Sequence, residues 1–395
     1  MKLLEGFVAL DLADLRGQFC GRLLSDQGME VIKVEPPAGD PVRRLGPFKD
    51  NDPSLEKSLP FAALNAGKKS VTLDWTHAAG RELLLSLVEK VDVVVESFEG
   101  GTLAEYGLSP DELRRRNPRL VVTSISGFGQ TGPRKDYLSP DLIVTAMGGL
   151  MSVSGDPKLP PTTGPETQGF YSASIYGALG TLLSLWQRDK DGTGDHVDIA
   201  AQEAMASHDQ VIRTFSTEGA PIRRFGSQHH HVAPANVFPT SDGYVYLFVT
   251  HQHWTGLLAL WKDHPVELDS VEFKHNIGRR KKADWINGLV ADYTRQFTKR
   301  DLVTKLQEAG LPCLPVYSPS EFMTDDQIQH RKFFQPVHHP VLGDYSQMAF
   351  PVLINGERPL LGPPPLLGQH TRDILVQRFG VTAADFEMLF AQGIV

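Results

Sequence analysis

Cysteine is scarce in this chain of 395 residues, and the two that occur, Cys20 and Cys313, lie far apart in the sequence. Disulfide frameworks use several cysteines, and zinc sites place their cysteines a few residues apart. Neither pattern is present. We therefore interpret both as thiols without a special role and expect a cytoplasmic protein in a reducing compartment.

Two further features are missing: an excess of basic residues and a long apolar run. The net charge is −8, whereas nucleic-acid binders normally carry a basic patch or stripe. The first 17 residues contain acidic side chains within their apolar stretch, which argues against a signal peptide. No apolar run is long enough to cross a bilayer. We expect neither a nucleic acid nor a membrane as a partner.

Strand and helix patterns alternate along the first half of the chain. Helical patterns cover 17–27, 80–88 and 109–115, with Ser109 as the expected N-cap of the last. This alternation predicts an α/β fold with a parallel sheet and helices on both faces. The expected strands are short and apolar, at 7–12, 30–34, 70–73, 91–95, 120–125 and 196–199.

The later part of the chain has a different pattern. An antiparallel hairpin is expected over 237–249, with helices after it near 254–261, 285–296 and 299–309. The sequence thus predicts a large domain over 1–221, a smaller domain over 222–316 and a return to the large domain over 317–395. The apolar, Gly- and Ala-rich segment 172–188 is interpreted as a buried helix.

Gly127–Gly132 (GFGQTG) fits the glycine pattern of a dinucleotide-binding loop after a strand. That site requires a helix to begin at the third glycine, so that its amides can bind a pyrophosphate. Pro133 and a polar stretch follow instead. A turn-rich loop is therefore the better interpretation.

Histidines cluster at 229–231, with His251, His253, His338 and His339 elsewhere. Metal sites need side chains at ligand spacing, and no carboxylate or cysteine stands near enough in the sequence. Adjacent histidines on one strand would also point to opposite faces. We expect no metal site.

A lysine pair, Lys68 and Lys69, follows a glycine turn just before a strand. Two cations there could bind a phosphate. A solvated turn is the simpler interpretation of that motif taken alone.

Several blocks, in order along nearly the whole chain, resemble CoA-transferase family III, the formyl-CoA transferase and CaiB/BaiF type. They are LRGQFCGRLLSDQGMEVIKVEPPAGDPVR (15–43), NAGKKSVTLD (65–74), VVVESFEGGTLAEYGLSPDELRRRNPRLVVTSISGFGQTGP (93–133), DLIVTAMGGLMSVSG (141–155) and PPPLLGQHTRDIL (363–375). GFGQTGP is a shared loop of that family, which removes the dinucleotide interpretation.

The resemblance implies two chains threaded through each other as interlocked rings, each with a Rossmann-like large domain and a smaller α+β domain. It also implies that no cofactor is bound permanently and that a CoA thioester is a substrate. In the family an aspartate attacks the acyl-CoA and carries the acyl group to a second carboxylic acid. This chemistry needs a carboxylate as the nucleophile.

That carboxylate is missing from the matching stretch of this sequence. The family aspartate aligns with Gly169 or, if the following Gly-Thr-Leu is used as the anchor, with Phe170. Glu166 is the nearest acid. If the segment is extended, Glu166 lies about 10 Å of chain away, which is too far to substitute.

The expected CoA cleft also departs from the family pattern. Glu99 and Glu105 stand where members usually have arginines, and a Glu repels the phosphates that an Arg attracts. Arg16-Gly17-Gln18 replaces the usual Ala-Gly-Pro, and Ser97 replaces an asparagine. The retained or nearby positions give a vestigial set of candidate CoA-binding residues: Lys68, Lys69, Ser97 and Phe98.

We therefore predict a non-catalytic subunit of a heteromeric CoA-transferase. Its partner is a homologous chain that keeps the aspartate and binds the acyl-CoA, and this chain's loop at 250–253 would complete the partner's site. The resemblance further implies transfer from succinyl-CoA to a dicarboxylic acid, (R)-benzylsuccinate, in anaerobic toluene degradation. Two alternatives remain: an active homodimer with Glu166 or Ser172 as nucleophile, and a binding or regulatory protein without a transferase partner.

Overall fold

The chain divides into two compact units. The computed structural model describes residues 2–165, 167–208, 210–219 and 223–395. The first unit comprises Met1–Leu150, Thr163–Gly219 and Gln327–Val395, and the second comprises Met151–Thr162 and Ala220–Asp326. The smaller domain expected over 222–316 falls within the second unit, which also takes in Met151–Thr162 and continues to Asp326.

A parallel six-stranded sheet forms the centre of the first unit, in the order β3-β2-β1-β4-β5-β6. All five strand pairs are parallel, and β1 pairs with β2 on one side and with β4 on the other. The strand order therefore reverses direction between β1 and β4. The strands are β1 Val8–Asp11, β2 Glu30–Glu35, β3 Lys69–Thr72, β4 Val93–Glu96, β5 Val121–Ser126 and β6 His196–Ala200.

Helices connect these strands and pack on both faces, as the apolar cores on the two sides of the sheet show. The α-helices among the described residues are α1 Gln18–Asp26, α2 Leu59–Asn65, α3 Ala78–Val88, α4 Thr102–Glu105, α5 Pro110–Arg116, α6 Asp141–Met147, α7 Leu150–Val153, α8 Gln168–Asp191, α9 Ala201–Ser207, α10 Gln210–Glu218, α11 Trp254–Leu260, α12 Val271–Lys274, α13 Asn276–Lys281, α14 Ala283–Thr294, α15 Lys299–Glu308, α16 Pro319–Thr324, α17 Asp326–His330 and α18 Ala383–Ala391.

The predicted α/β class with a parallel sheet is confirmed, and each expected strand lies within one or two residues of an observed one. Ser109 caps α5 as predicted, because its hydroxyl oxygen accepts the Glu112 amide at 3.2 Å. The C-terminal segment contributes Ile374, Leu375 and Phe386 to the same core as β1.

The prediction for α8 was wrong in two respects. The helix begins at Gln168, four residues earlier than expected, so Gly169 lies in its first turn rather than in an extended segment. One face is buried in the unit, but the opposite face is exposed at Ile175, Leu179, Leu183 and Trp186. These four positions recur at helical spacing, and the packing of the described residues leaves each of them about half exposed.

The second unit is built on a three-stranded antiparallel sheet in the order β7-β8-β9, at Ala235–Thr240, Gly243–Phe248 and Cys313–Pro315. The predicted hairpin is thus present, and its core includes Phe238, Trp254 and Ile286. A two-stranded sheet, β10 Phe334–His339 and β11 Gly343–Met348, belongs to the first unit. No helix among the described residues is both long and apolar enough to cross a membrane.

Candidate active-site cleft

The reversal of strand order between β1 and β4 marks a position in the fold where ligands bind. In open parallel sheets, ligands lie outside the carboxyl ends of the strands at the point where the strand order reverses. Here that crevice is bounded by the loop after β1, which carries Asp14 and Arg16, and by the loop after β4, which carries Ser97 and Glu99. The sequence thus places four polar side chains at the expected site.

These four side chains bond to one another. The Arg16 guanidinium donates to Asp14 Oδ2 at 2.8 Å and also pairs with the carboxylate of Glu99. The Asp14 amide donates to Ser97 Oγ at 2.8 Å, and the Ser97 hydroxyl donates back to Asp14 Oδ1 at 2.7 Å. The two loops are therefore joined across the crevice by a closed polar network.

The network favours the charged forms of Asp14 and Arg16. Burial raises the pKa of Asp14, but the hydrogen bonds and charge of Arg16, with the Ser97 hydroxyl, outweigh it and leave that pKa below its ordinary value. Burial likewise opposes the charge of Arg16, whose pKa is nevertheless raised by Asp14 and Glu99. Glu99 is thus paired with Arg16, and the same guanidinium also pairs with Asp14. One positive charge against two carboxylates leaves the network with a net negative charge, so the repulsion of a phosphate by Glu99 stays a prediction.

A second buried acid, Glu96, lies at the end of β4 beside this network. Burial raises its pKa to about 7, although a hydrogen bond from Ser124 and the Phe98 amide, which donates at 2.8 Å, favour the carboxylate. Ser124 in turn bonds His196 Nε2 at 3.0 Å. Glu96 can therefore exchange a proton near neutral pH, a property that the sequence pattern did not reveal.

Lys68, one of the expected phosphate ligands, is fully buried and has its donors occupied. Its ammonium group donates to Asp11 Oδ2 at 2.6 Å, the Gln18 carbonyl at 2.7 Å and Asn65 Oδ1 at 2.9 Å. An ammonium group has three donors, and all three are used. Burial lowers the pKa of Lys68 in spite of Asp11. The side chain bridges α1, α2 and β1 rather than facing a ligand.

The other three expected CoA-binding residues are also engaged. Lys69 begins β3, at the amino end of the strand, and pairs with Glu30 at 2.8 Å. Phe98 packs edge-to-face on Trp75, with ring centroids 5.5 Å apart. Among the residues that the structure describes, the Ser97 hydroxyl bonds to Asp14 alone. The structure therefore places Ser97 and Phe98 in the loop after β4, whereas Lys68 and Lys69 are already paired with Asp11 and Glu30.

Gly169, the expected nucleophile position, faces a different carboxylate. Asp141, at the start of α6, accepts the Phe170 amide of α8 at 2.8 Å through Oδ1. A Cβ atom added to Gly169 would lie 3.0 Å from that same oxygen and 3.1 Å from Val144 Cγ2. Burial raises the pKa of Asp141, and the amides of Phe170 and Gly169 partly offset it. Asp141 thus supplies an acid beside the position that lacks one.

The geometry gives little support to the other positions considered for the nucleophile, Phe170, Ser172 and Glu166. Phe170 is buried in the core beneath the sheet. Ser172 is half-buried on α8, and among the described residues no acid or imidazole hydrogen-bonds its hydroxyl. Glu166 lies outside the described residues.

The second unit contains the loop Thr250–His253. Thr250 Oγ1 and His253 Nδ1 are 3.1 Å apart, and His251 Nδ1 bonds the Lys274 carbonyl at 2.8 Å. The His251 ring stacks on His275 with centroids 5.9 Å apart. The loop therefore has a fixed conformation, with Gln252 exposed at its tip.

The histidines at 229–231 do not lie on a strand, contrary to the prediction. Their backbone is irregular, and the rings of His229 and His230 stack on each other 4.9 Å apart. Within the part of the chain that the structure describes, no three His, Cys, Asp or Glu side chains form a metal-binding group.

Proteins of known function are similar to this chain over nearly its whole length. The chain is 35% identical over 388 residues to succinyl-CoA–D-citramalate CoA-transferase of Chloroflexus aurantiacus, covering 97% of this chain and 95% of that protein. It is 31% identical over 401 residues to succinyl-CoA:(R)-benzylsuccinate CoA-transferase subunit BbsE of Thauera aromatica, covering 98% and 97%.

Structural similarity leads to the same family. A CAIB/BAIF family protein from Brucella suis superposes with a TM-score of 0.85 at 28% identity, over 95% of this chain and 98% of that one. The family profile of CoA-transferase family III matches residues 4–371. The chain therefore belongs to CoA-transferase family III.

Proposed function

We propose that this chain is the non-catalytic subunit of a heteromeric CoA-transferase and that its partner carries the nucleophilic aspartate. The observation that carries the proposal is the first turn of α8. Gly169 offers no side chain there, and Phe170 is directed into the core. A thioester bound at this position would therefore find no nucleophilic side chain at Gly169 or Phe170.

The exposed stripe on α8 supports a partner chain. Ile175, Leu179, Leu183 and Trp186 are 49–63% exposed, and all four lie on one face of a 24-residue helix. A contiguous apolar face of this kind is typical of a protein interface. The relative named subunit BbsE shows that the family includes chains named as subunits. A homologous chain is the partner that this face would take, and the interlocked dimer remains a prediction.

The closed crevice supports binding of the acyl-CoA in the partner. A phosphate entering between the two loops would have to separate Arg16 from Asp14 and Glu99, which already satisfy its charge. Breaking a largely buried charge network costs more than an exposed cation would gain from a phosphate. Loop 250–253, whose conformation is fixed, is the part of this chain that we assign to the partner's site.

For the substrates, we propose succinyl-CoA as donor and a dicarboxylic acid as acceptor. The two relatives compared above are named for succinyl-CoA with D-citramalate and with (R)-benzylsuccinate, both dicarboxylic acids. (R)-Benzylsuccinate, the acceptor of anaerobic toluene degradation, remains the narrower prediction. D-Citramalate is the acceptor that competes with it, because the relative named for it is more similar in sequence.

The test is co-expression of the tagged chain with an aspartate-bearing homologue. A stoichiometric complex should form, and CoA transfer from succinyl-CoA should require both chains, measured by chromatography of the acyl-CoA products with each acceptor. Leu183→Glu with Trp186→Glu should prevent assembly. Leu360→Glu is the matched control, since Leu360 is exposed and apolar but lies outside α8. Full activity of the isolated chain would overturn the proposal.

One observation favours a second candidate, an active homodimer. Asp141 is a half-buried carboxylate with a raised pKa, directly beside Gly169. If the isolated chain transfers CoA, Asp141→Asn should abolish that transfer and a covalent adduct on Asp141 should be trapped by hydroxylamine. Activity that persists in Asp141→Asn would exclude this residue.

A further inference from the structure

A large basic cavity lies within the second unit, separate from the crevice of the parallel sheet. Its volume is about 800 Å³, and it is bounded by the loop around Asp156, the segment from Arg224 to Asn236, and the junction of α13 and α14. All three walls belong to the second unit. We call this cavity the small-unit pocket.

Its charges are strongly unequal. Five basic residues contribute to the lining, against two acidic ones, Asp156 and Asp284. Both carboxylates already accept hydrogen bonds, one from the Lys158 amide at 2.7 Å and the other from Gln228 at 3.3 Å. The basic residues are Lys158, Arg224, Arg280, Lys281 and Lys282.

Four of the five cations are available to a ligand. Arg224 is used to hold the wall, since it donates to the carbonyls of Asp156 and Leu159 at 3.3 and 2.9 Å. The other four form no ion pair with any residue that the structure describes. A concave site with several unpaired cations attracts a multiply charged anion, because the same potential acts on each negative group.

Flat rings also line the pocket, close to Arg280. Phe225 and His230 stack with centroids 6.0 Å apart, and His230 stacks on His229 at 4.9 Å with an interplanar angle of 17°. Burial, followed by the charges of His231 and Arg280, lowers the pKa of both histidines. The rings are therefore mostly uncharged at neutral pH and offer a π-face for stacking.

We propose that the small-unit pocket binds an adenine nucleotide with two phosphate groups. The base stacks on an outer end of the Phe225–His230–His229 ring stack, and the phosphates lie against Arg280, Lys281 and Lys282. A ring stack and unpaired cations in one pocket match the two parts of such a molecule. The proposal does not rest on the transferase function, because no residue of the crevice takes part.

Two sources present this chemistry: the 3′-phosphorylated adenosine end of CoA and a free nucleoside diphosphate. Adenosine 3′,5′-bisphosphate and ADP distinguish them, since each carries two phosphate groups on the same base. A clear preference for either identifies the source, and comparable binding of both supports the shared chemistry.

The experiment is calorimetric titration of the full-length chain with these two probes, adenosine and inorganic pyrophosphate. We expect at least one bisphosphate or diphosphate to bind about tenfold more tightly than either fragment. Arg280→Ala with Lys282→Ala should weaken that binding by about tenfold or more, with a smaller salt dependence. Lys262→Ala with Arg300→Ala, two exposed cations of the same unit outside the lining, is the control.

A pair of substitutions at His230 tests the stacking part of the proposal. His230→Ala should weaken the nucleotide but not pyrophosphate, whereas His230→Phe should retain the affinity because it keeps a flat ring. The proposal is overturned if neither nucleotide binds, if the control pair weakens binding as much as the pocket pair, or if pyrophosphate binds as tightly as the nucleotides. Circular dichroism of each variant establishes that it is folded.

Discussion

Arg16 joins Asp14 and Glu99, so the loop after β1 is tied to the loop after β4 across the point where the strand order reverses. The position that would open to a ligand in an open parallel sheet is occupied here by the chain's own ion pairs. Glu99, which the sequence predicts as a charge that repels phosphate, is thus also a partner in a structural contact.

Arg16→Ala is expected to destabilise the chain by about 1–3 kcal/mol, because two partly buried carboxylates lose their counter-charge. Glu99→Ala should cost less, since Arg16 keeps Asp14. Urea unfolding gives both values, and the double variant measures the coupling between the two side chains. Arg295→Ala removes an exposed pair with Asp292 and serves as the control. Equal stability of Arg16→Ala and the parent chain would show that the network does not hold the two loops together.

Lys68 offers a separate test of structural against ligand-binding roles. Lys68→Met should cost about 3–5 kcal/mol, because it leaves the buried Asp11 carboxylate without its cation. Lys69→Met, next to it in sequence, changes a side chain that is 44% exposed and should have little effect on unfolding. If Lys68→Met folds with unchanged stability but weakens CoA binding by the complex, Lys68 is a phosphate ligand after all.

Glu96 makes stability depend on pH in a defined window. Its pKa rises from 4.5 in the unfolded chain to about 7 in the fold, so the folded state binds more protons between those values. Stability therefore falls as pH rises from about 4.5 to about 7, by roughly 3 kcal/mol in all, and the loss is complete above that range. Glu96→Gln should remove this fall. The free energy of unfolding of the variant should therefore rise relative to that of the parent as the pH increases through this window. Parallel pH profiles for the two proteins would contradict the assignment.

The sheet was predictable because its information is local. Strands such as Val93–Glu96 and Val121–Ser126 are buried on both faces and begin with runs of β-branched apolar residues, which distinguishes them from the intervening helices. Ser109 was recognisable as a helix start because the amide that its hydroxyl caps, that of Glu112, is only three residues away. The candidate site was less predictable, since its contacts span the chain: Arg16 and Glu99 are 83 residues apart.

The start of α8 shows why local patterns failed at the most important position. Thr167 makes no side-chain cap, so the sequence carries no start signal there. The cap comes instead from Asp141, 29 residues earlier, which accepts the Phe170 amide. Apolar periodicity likewise could not distinguish a face buried in the same chain from one that a partner would cover. Relative to the family pattern, an arginine is gained at Arg16 and one is replaced by Glu99. These opposite changes of charge were the sign in the sequence that the two side chains form an ion pair.

Gly169→Asp is expected to leave the isolated chain without CoA-transferase activity and to lower its stability. The new Cβ atom would lie 3.0 Å from Asp141 Oδ1, which places two carboxylates together at the start of α8. Two neighbouring carboxylates repel each other, which raises the pKa of one of them and reduces the ionised fraction that could attack a thioester. Gly169→Asp with Asp141→Asn should recover part of the lost stability, measured by thermal unfolding, because the amide removes the repulsion while keeping an oxygen for the Phe170 amide.

Gly169→Ala is the matched control, since it adds the Cβ atom without a charge. Strong activity from Gly169→Asp alone would show that the crevice still binds acyl-CoA and that only the nucleophile was lost.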